Sequence, residues 1–306
     1  MEKINVIVGP TSSGKTSLAV KLCKKYGGQI ISADSRQVYK YMDIGTGKVP
    51  VTKDISINKS DEVWELNGVK VWGYDLAKPD EYFSSYDFNA WALPKAKELV
   101  EEGNNIFLVG GTGFYIDMFT KRIEPSRIPP DFELRKKLKK MDLTKLKKKL
   151  TSLNLEVFKN IDQNNPVRLI RAIEKELNEK KSPPLPYFED VDFSYIGLTS
   201  SNENLYKRVD NWTEEIWNNG LIEETEKLIE LGYKNSRPLQ GLVYKTVIDY
   251  LGGNMAEKQA IQRIKFDLHS YIRRQKTYFD KNEDIKWFDI DDEKLFQKVL
   301  DNVELN

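Results

Sequence analysis

The segment Gly9-Pro10-Thr11-Ser12-Ser13-Gly14-Lys15-Thr16 follows the apolar run Ile4–Val8 and precedes a helix-like stretch that closes at Gly27-Gly28. Its chemistry is phosphate binding. Gly9 and Gly14 let the backbone curl so that successive N–H groups face one anion, Lys15 adds a mobile positive charge, and the Thr16 hydroxyl can hold Mg²⁺. A helix starting at this point adds its positive end. The second candidate is Asp34, just past the apolar run 29–32 and within a polar segment with Ser35, Arg36 and Gln37. A carboxylate so placed suits a base facing a substrate. A nucleotide hydrolase or kinase would also want an apolar strand ending in Asp to hold magnesium. The candidate strand instead runs into Gly110-Gly111-Thr112-Gly113. Phosphate binding therefore follows from these residues, whereas nucleotide hydrolysis does not.

Parallel strands must carry these groups. The runs 4–8, 29–32 and 104–113 are short, apolar and bounded by turn residues, as strands buried on both faces are. Residues 62–75 alternate around Asn67-Gly68, which predicts a hairpin with a type I′ turn. A helix is expected over 86–103, opened by Asp87 and closed by Gly103, with Pro94 as a kink or late start. From about 120 to 190 the pattern is helical, with Asn165 as a cap, Pro166 in the first turn and a linker at 182–186. A strand at 193–200, three or four helices, a last strand at 284–290 and a closing helix complete the chain. The expected fold is α/β: a parallel-sheet core of the P-loop NTPase type from 1–119 and 191–306, interrupted by a mostly helical insertion at 120–190.

Composition narrows the function classes. The 306 residues carry 48 Lys and Arg against 47 Asp and Glu, so no global field announces a polyanionic partner and any nucleic-acid surface must arise from local clustering. A single cysteine, Cys23, excludes an internal disulfide framework and fits a reducing compartment as a buried small residue. With His269 the only histidine, a histidine metal site or catalytic triad is not expected. No signal peptide or membrane-spanning stretch is expected, and the reading is a cytoplasmic monomer.

Five segments together resemble one family. GPTSSGKT (9–16), ISADSRQVYKYMDIGTGK (31–48), LVGGTGFYI (108–116), NNPVRLIRAIE (164–174) and YIRRQKTYF (271–279) match, in order and spacing, the motifs of the tRNA dimethylallyltransferases. The resemblance implies that the phosphate is the diphosphate of dimethylallyl diphosphate, leaving as the prenyl group passes to N6 of an adenine beside the anticodon of tRNA. It implies residues 9–16 with Mg²⁺ at Thr16 as the diphosphate site, Asp34 as general base, and Thr112 near the same amine. Lys15 would stabilise the leaving group.

The resemblance also implies an RNA side: Asp34, Ser35, Arg36, Gln37 and Thr112 near the target adenine, and Arg135, Val167, Arg168, Arg171, Gln240, Lys245, Arg273, Arg274 and Gln275 toward the anticodon stem-loop. Arg135 opens a run in which nine of fifteen residues are Lys or Arg, a pattern shared by solvated helix faces and phosphate-contact surfaces. Three departures fall at the RNA end: Val243 where the family usually has glycine, Leu268-His269 for a Thr-Arg pair, and Val71-Trp72 for a His-His pair. Two other activities use the same front half: prenyl transfer to free adenosine phosphates, and small-molecule phosphorylation by a P-loop kinase. The insertion and the long C-terminal helices favour a macromolecular acceptor over the first. The Asp34 and Gly110–Gly113 segments would be unexplained by the second.

Overall fold

The computed structural model describes residues 2–50, 55–60, 63–187 and 189–305. The elements run β1 (Glu2–Val8), α1 (Lys15–Tyr26), β2 (Gly28–Ser32), β3 (Ile57–Lys59), β4 (Trp64–Leu66), β5 (Val69–Trp72), α2 (Ser85–Glu101), β6 (Asn105–Gly110) and α3 (Gly113–Phe119). The helices α4 (Phe132–Leu138), α5 (Leu143–Leu153), α6 (Leu155–Lys159) and α7 (Pro166–Leu177) follow. Then come β7 (Val191–Thr199), α8 (Asn202–Asn218), α9 (Leu221–Glu230), two short 3-10 turns at Tyr233–Asn235 and Arg237–Gln240, α10 (Leu242–Leu251), α11 (Glu257–Phe279), β8 (Lys286–Asp289) and α12 (Leu295–Leu300). The chain divides into two compact units, one of Met1–Ile123 with Pro186–Asn306 and one of Glu124–Leu185.

In the first unit the described strands form one eight-stranded sheet in the order β3-β4-β5-β2-β6-β1-β7-β8. The six strands from β5 to β8 pair in parallel, and β3 and β4 add an antiparallel edge. Central β1 is covered on both faces, so Ile4, Val6, Ile7 and Val8 are all fully buried; this is why its sequence is a run rather than an alternation. Leu18, Ala19, Leu22 and Cys23 form the buried stripe of α1. Burial pushes the Cys23 thiol up to about 12, so it behaves as a small apolar filler. The Asn67-Gly68 turn has positive φ at both residues, 52° and 78°, as a type I′ hairpin requires. Glu62, at the start of the segment expected to form this hairpin, lies outside the described residues.

The expected opening of α2 is corrected. Ser84, not Asp87, is the cap: its hydroxyl accepts from Asp87 N while the Asp87 carboxylate accepts from Ser84 N. The helix also begins before Pro94 and continues past it, so Pro94 is not a late start. Burial of Phe88, Ala92, Leu93, Ala96 and Leu99 along one face outweighs the backbone hydrogen bond that proline removes.

The second unit closes its own core over Leu138, Leu146, Leu150, Leu169, Ile170, Ala172 and Ile173. Its basic run is two helices rather than one, because Asp142 interrupts it and caps α5 by accepting from Lys145 N at 2.8 Å. Asn165 caps α7 by accepting from Val167 N and Arg168 N, with Pro166 at the first helical position.

Candidate active site

Strand order places the candidate residues together. β2, β6 and β1 are neighbours and parallel, so their carboxyl ends form one edge. Residues 9–16 leave β1, Asp34 follows β2, and Gly111–Gly113 follow β6. A crevice outside the carboxyl ends of parallel strands is where such folds bind ligands. Here it is a cavity of about 700 Å³ whose lining includes Thr11, Lys15, Thr16, Asp34, Arg36 and Gly111.

The loop turns sharply away from β1 at Gly9, where φ is 144° and a Cβ would stand 2.4 Å from the Leu198 carbonyl oxygen. Only glycine fits there. Lys15 Nζ donates to the Pro10 carbonyl at 2.7 Å, folding the ammonium back over the loop. Burial pushes Lys15 down to about 8, against the opposing pull of Asp34. Thr11 N donates to Gln275 Oε1 at 2.9 Å, and the Ser12 carbonyl accepts from Arg208 Nε at 2.8 Å. The Ser13 hydroxyl is buried without a hydrogen-bond partner among the described residues. Gly14 caps α1, and Thr16 lines the cavity.

Opposite the loop, burial pushes the Asp34 carboxyl above the ordinary aspartate range, and Arg36 N together with the charges of Lys15 and Arg36 opposes the rise. Its Oδ1 accepts from Arg36 N at 2.9 Å. A base with a raised proton affinity beside a phosphate loop is chemically useful rather than inert. Thr112 Oγ1 accepts from Ser35 N at 3.0 Å and lies 3.2 Å from the Ser35 hydroxyl, tying the β6 turn to the Asp34 segment. Tyr271 of α11 is buried against this region, which raises its phenol above the ordinary range. Gln37 sits between the Ser32 hydroxyl and the Thr46 carbonyl, and Arg36 donates to the Pro238 carbonyl at 2.9 Å.

A buried network fixes the segment after Asp34. Lys48 is fully buried and donates to Tyr39 O, Asp43 Oδ1 and Asp75 Oδ1, while Trp64 Nε1 donates to Asp75 Oδ2. Glu224 of α9 accepts from the N–H groups of Asp43, Ile44 and Gly45 and from the Tyr244 hydroxyl. Gly45, Thr46 and Gly47 then form one wall of the cavity.

The residues implied to face RNA fall into distinct settings. Gln240, Lys245 and Arg274 line a second cavity of about 420 Å³, and Leu242 borders both cavities. Arg273 instead donates to the Tyr206 and Ser270 hydroxyls. Gln275, 5% exposed, is turned inward against the phosphate loop. Within the helical unit, Arg135 and Arg171 both bind the fully buried Glu174, and Arg171 also donates to Ile128 O. Burial alone would push the Glu174 carboxyl up; the two guanidinium groups and Asp131 N hold it below its ordinary value. Val167 is 73% exposed and Arg168 is exposed beside it.

The three departures have local structural roles. Val243 is buried in α10, and the left-handed backbone position falls on its neighbour Leu242, with φ 49°. His269 stacks on Tyr206 at 4.0 Å and pairs with Asp210 at 2.7 Å. Val71 is core, and Trp72 Nε1 donates to Gln29 Oε1. Arg208 and Glu224 were not legible as site residues: their contacts span 196 and about 180 positions, and no local pattern connects them.

For magnesium, no cluster of three or more His, Cys, Asp or Glu side chains exists among the described residues. The loop brings the hydroxyl residues Thr11, Ser12, Thr16 and Ser17, and no carboxylate, to the cavity lining. That fits Mg²⁺, which keeps several waters and takes few protein ligands when phosphate is present. Among the described residues no helix is long and apolar enough to cross a membrane.

Comparison with known proteins gives one answer. Residues 37–282 match the IPP transferase family. The tRNA dimethylallyltransferase of Acetivibrio thermocellus is 37% identical, across 99% of this chain and 97% of its own. The solved tRNA isopentenylpyrophosphate transferase of Bacillus halodurans is 33% identical, covering 98% of this chain and 95% of that one with a TM-score of 0.70. A eukaryotic dimethylallyltransferase solved acting on tRNA shares the fold, with a TM-score of 0.74 at 22% identity over 95% of this chain and 75% of that one.

Proposed function

The chain belongs to the IPP transferase family of tRNA dimethylallyltransferases, and on that premise we propose that it transfers the dimethylallyl group of dimethylallyl diphosphate to N6 of an adenine beside the anticodon of tRNA. The observation that carries the reading is the facing of two unlike ends in one cavity. The phosphate loop with Lys15 and Thr16 and the partly buried Asp34 line the same cavity, and Thr112 is hydrogen-bonded to Ser35 next to Asp34.

The loop N–H groups and Lys15 hold the diphosphate and take up the negative charge that grows as the C–O bond breaks, while Arg208 braces the loop at the Ser12 carbonyl. Thr16 would hold a magnesium ion, which would supply further charge neutralisation for the leaving group. The adenine amine attacks the prenyl carbon, a new N–C bond forms, and Asp34 accepts the amine proton. An exocyclic amine is a weak nucleophile because its lone pair is delocalised into the ring, so a base with raised proton affinity matters. Thr112 is held beside the Asp34 segment by Ser35, where its hydroxyl can bond the same adenine amine.

The second cavity shares Leu242 with the first and is lined by Arg274 and by the ion pairs Lys245–Asp249 and Arg263–Asp267, so its support for an RNA acceptor rests on Arg274. The test is acceptor preference. With dimethylallyl diphosphate saturating, kcat/KM for an anticodon stem-loop should exceed that for free AMP by orders of magnitude. AMP as the better acceptor would defeat the tRNA reading.

A further inference from the structure

Helix α11 grips the glycine-rich turn after β6 at two points along one face, and Tyr271 of the same face lines the cavity. Gln275 Nε2 donates to the Gly111 carbonyl at 3.0 Å. Tyr278 covers Gly113 so closely that a Cβ there would stand 2.2 Å from its ring, and its hydroxyl donates to Asp117 at 2.6 Å. Positions 271, 275 and 278 are one stripe of a helix.

Gln275 does something its neighbours do not. Its Oε1 accepts from Thr11 N at 2.9 Å, so one amide bonds the phosphate loop and the β6 turn simultaneously. The turn is also the wall that faces Asp34: a Cβ on Gly111 would lie 3.7 Å from Asp34 Oδ2 and 2.3 Å from Gln275 Nε2. Bridging an N–H and a C=O with one planar group requires an acceptor and a donor side by side, which among side chains of this length means glutamine. A glutamate would aim a second oxygen at the Gly111 carbonyl, and an asparagine is one methylene too short to reach both.

We propose that Gln275 is a positioning residue that sets the spacing between the diphosphate loop and the Asp34–Thr112 pair, rather than a contact to RNA. The proposal rests on the transfer reading above. Attack on a prenyl carbon needs leaving group, carbon and amine nearly in line, and misplacement by about 1 Å can cost about a hundredfold in rate. The amide holds the two halves of that line in register. Because its partners are backbone groups of the two halves, its loss should leave each half able to bind its own substrate.

The experiment compares wild type with Gln275→Leu, Gln275→Glu and Gly111→Ala. Three quantities are measured: affinity for dimethylallyl diphosphate without RNA, affinity for an anticodon stem-loop without the diphosphate across a salt series, and the single-turnover rate with both saturating. Both affinities should stay within about threefold of wild type while the rate falls by about 30- to 100-fold. Gly111→Ala should show the same split, since its methyl group displaces the amide. The double variant Gln275→Leu/Gly111→Ala should lose no more than the worse single, the mark of one shared interaction. If Gln275→Leu does not fold, Gln275→Glu, matched in size, carries the comparison. A saturated rate within about threefold of wild type would overturn the proposal. So would a loss confined to stem-loop affinity with a shallower salt slope, which would place Gln275 on the RNA. Wild type transferring nothing under the same conditions would instead sink the functional reading, and the proposal with it.

Discussion

Glu224→Ala tests whether the cavity wall is held as described. The Glu224 carboxylate accepts four hydrogen bonds, from Asp43 N at 2.8 Å, Ile44 N at 2.7 Å, Gly45 N at 3.1 Å and the Tyr244 hydroxyl at 2.7 Å. Hydrogen bonds to a charged group are worth about 1.5–3 kcal/mol each, so four at the low end come to about 6 kcal/mol. The carboxylate is half-buried, and water reaching the freed donors should return about half of that, leaving a loss of about 3 kcal/mol. For a unit of this size that is a fall in Tm of about 6–12 °C. Thermal unfolding followed by circular dichroism reads it directly. Glu224→Gln should fall less, because one oxygen still accepts while the amide N–H turns toward like donors. The segment that loosens includes Gly45, Thr46 and Gly47 of the cavity lining, so KM should rise in the folded fraction as well. A Tm within about 2 °C of wild type for Glu224→Ala would refute the reasoning.

Lys15→Ala should abolish transfer and weaken dimethylallyl diphosphate binding, checked by calorimetric titration; wild-type turnover would remove the loop from the chemistry. Because burial sets Lys15 at about 8, its charge is complete below that pH and is lost above it. Affinity for the diphosphate should therefore weaken by about tenfold per pH unit above about 8, and a flat profile to pH 10 would contradict the assignment. Asp34→Asn should keep both substrates bound and lose about two to four orders of magnitude in saturated rate. In wild type the acid limb of the rate profile should lie above the ordinary aspartate value of 3.8, since the base must be ionised and burial raises its proton affinity. Neutralising Lys136, Lys137, Lys139 and Lys140 together should weaken stem-loop binding and flatten its salt dependence without changing diphosphate affinity; an unchanged slope would leave these exposed lysines as a solvated helix face.

The donor side of the site was legible in the sequence because its residues are consecutive. A strand, eight loop residues and a helix suffice to define residues 9–16, and Asp34 sits at a fixed distance past the next strand. That these strands are parallel and buried on both faces also follows from apolar runs without alternation, as β1 shows, whereas their order does not. What escaped was whatever depends on contacts between distant positions. Arg208 reaches Ser12, and Glu224 reaches residues 43–45, from helices whose sequences carry only ordinary amphipathic patterns. Ser84 was missed as a cap because Asp87, itself a good cap residue, fills the N3 place of the same capping box. Gln275 shows the reverse case. The resemblance placed it toward RNA, yet it is buried on α11, and only the positions of Thr11 and Gly111 show what its amide bonds.

The most direct measurement is mass analysis of the nucleosides of an anticodon stem-loop after incubation with the protein, dimethylallyl diphosphate and magnesium. The account predicts one adenosine beside the anticodon gaining a dimethylallyl group in place of an N6 proton, with diphosphate released in equal amount. It also predicts no such product from Asp34→Asn within the time wild type needs for completion. An unmodified stem-loop with wild type, or diphosphate released with no carbon transferred to RNA, would contradict it.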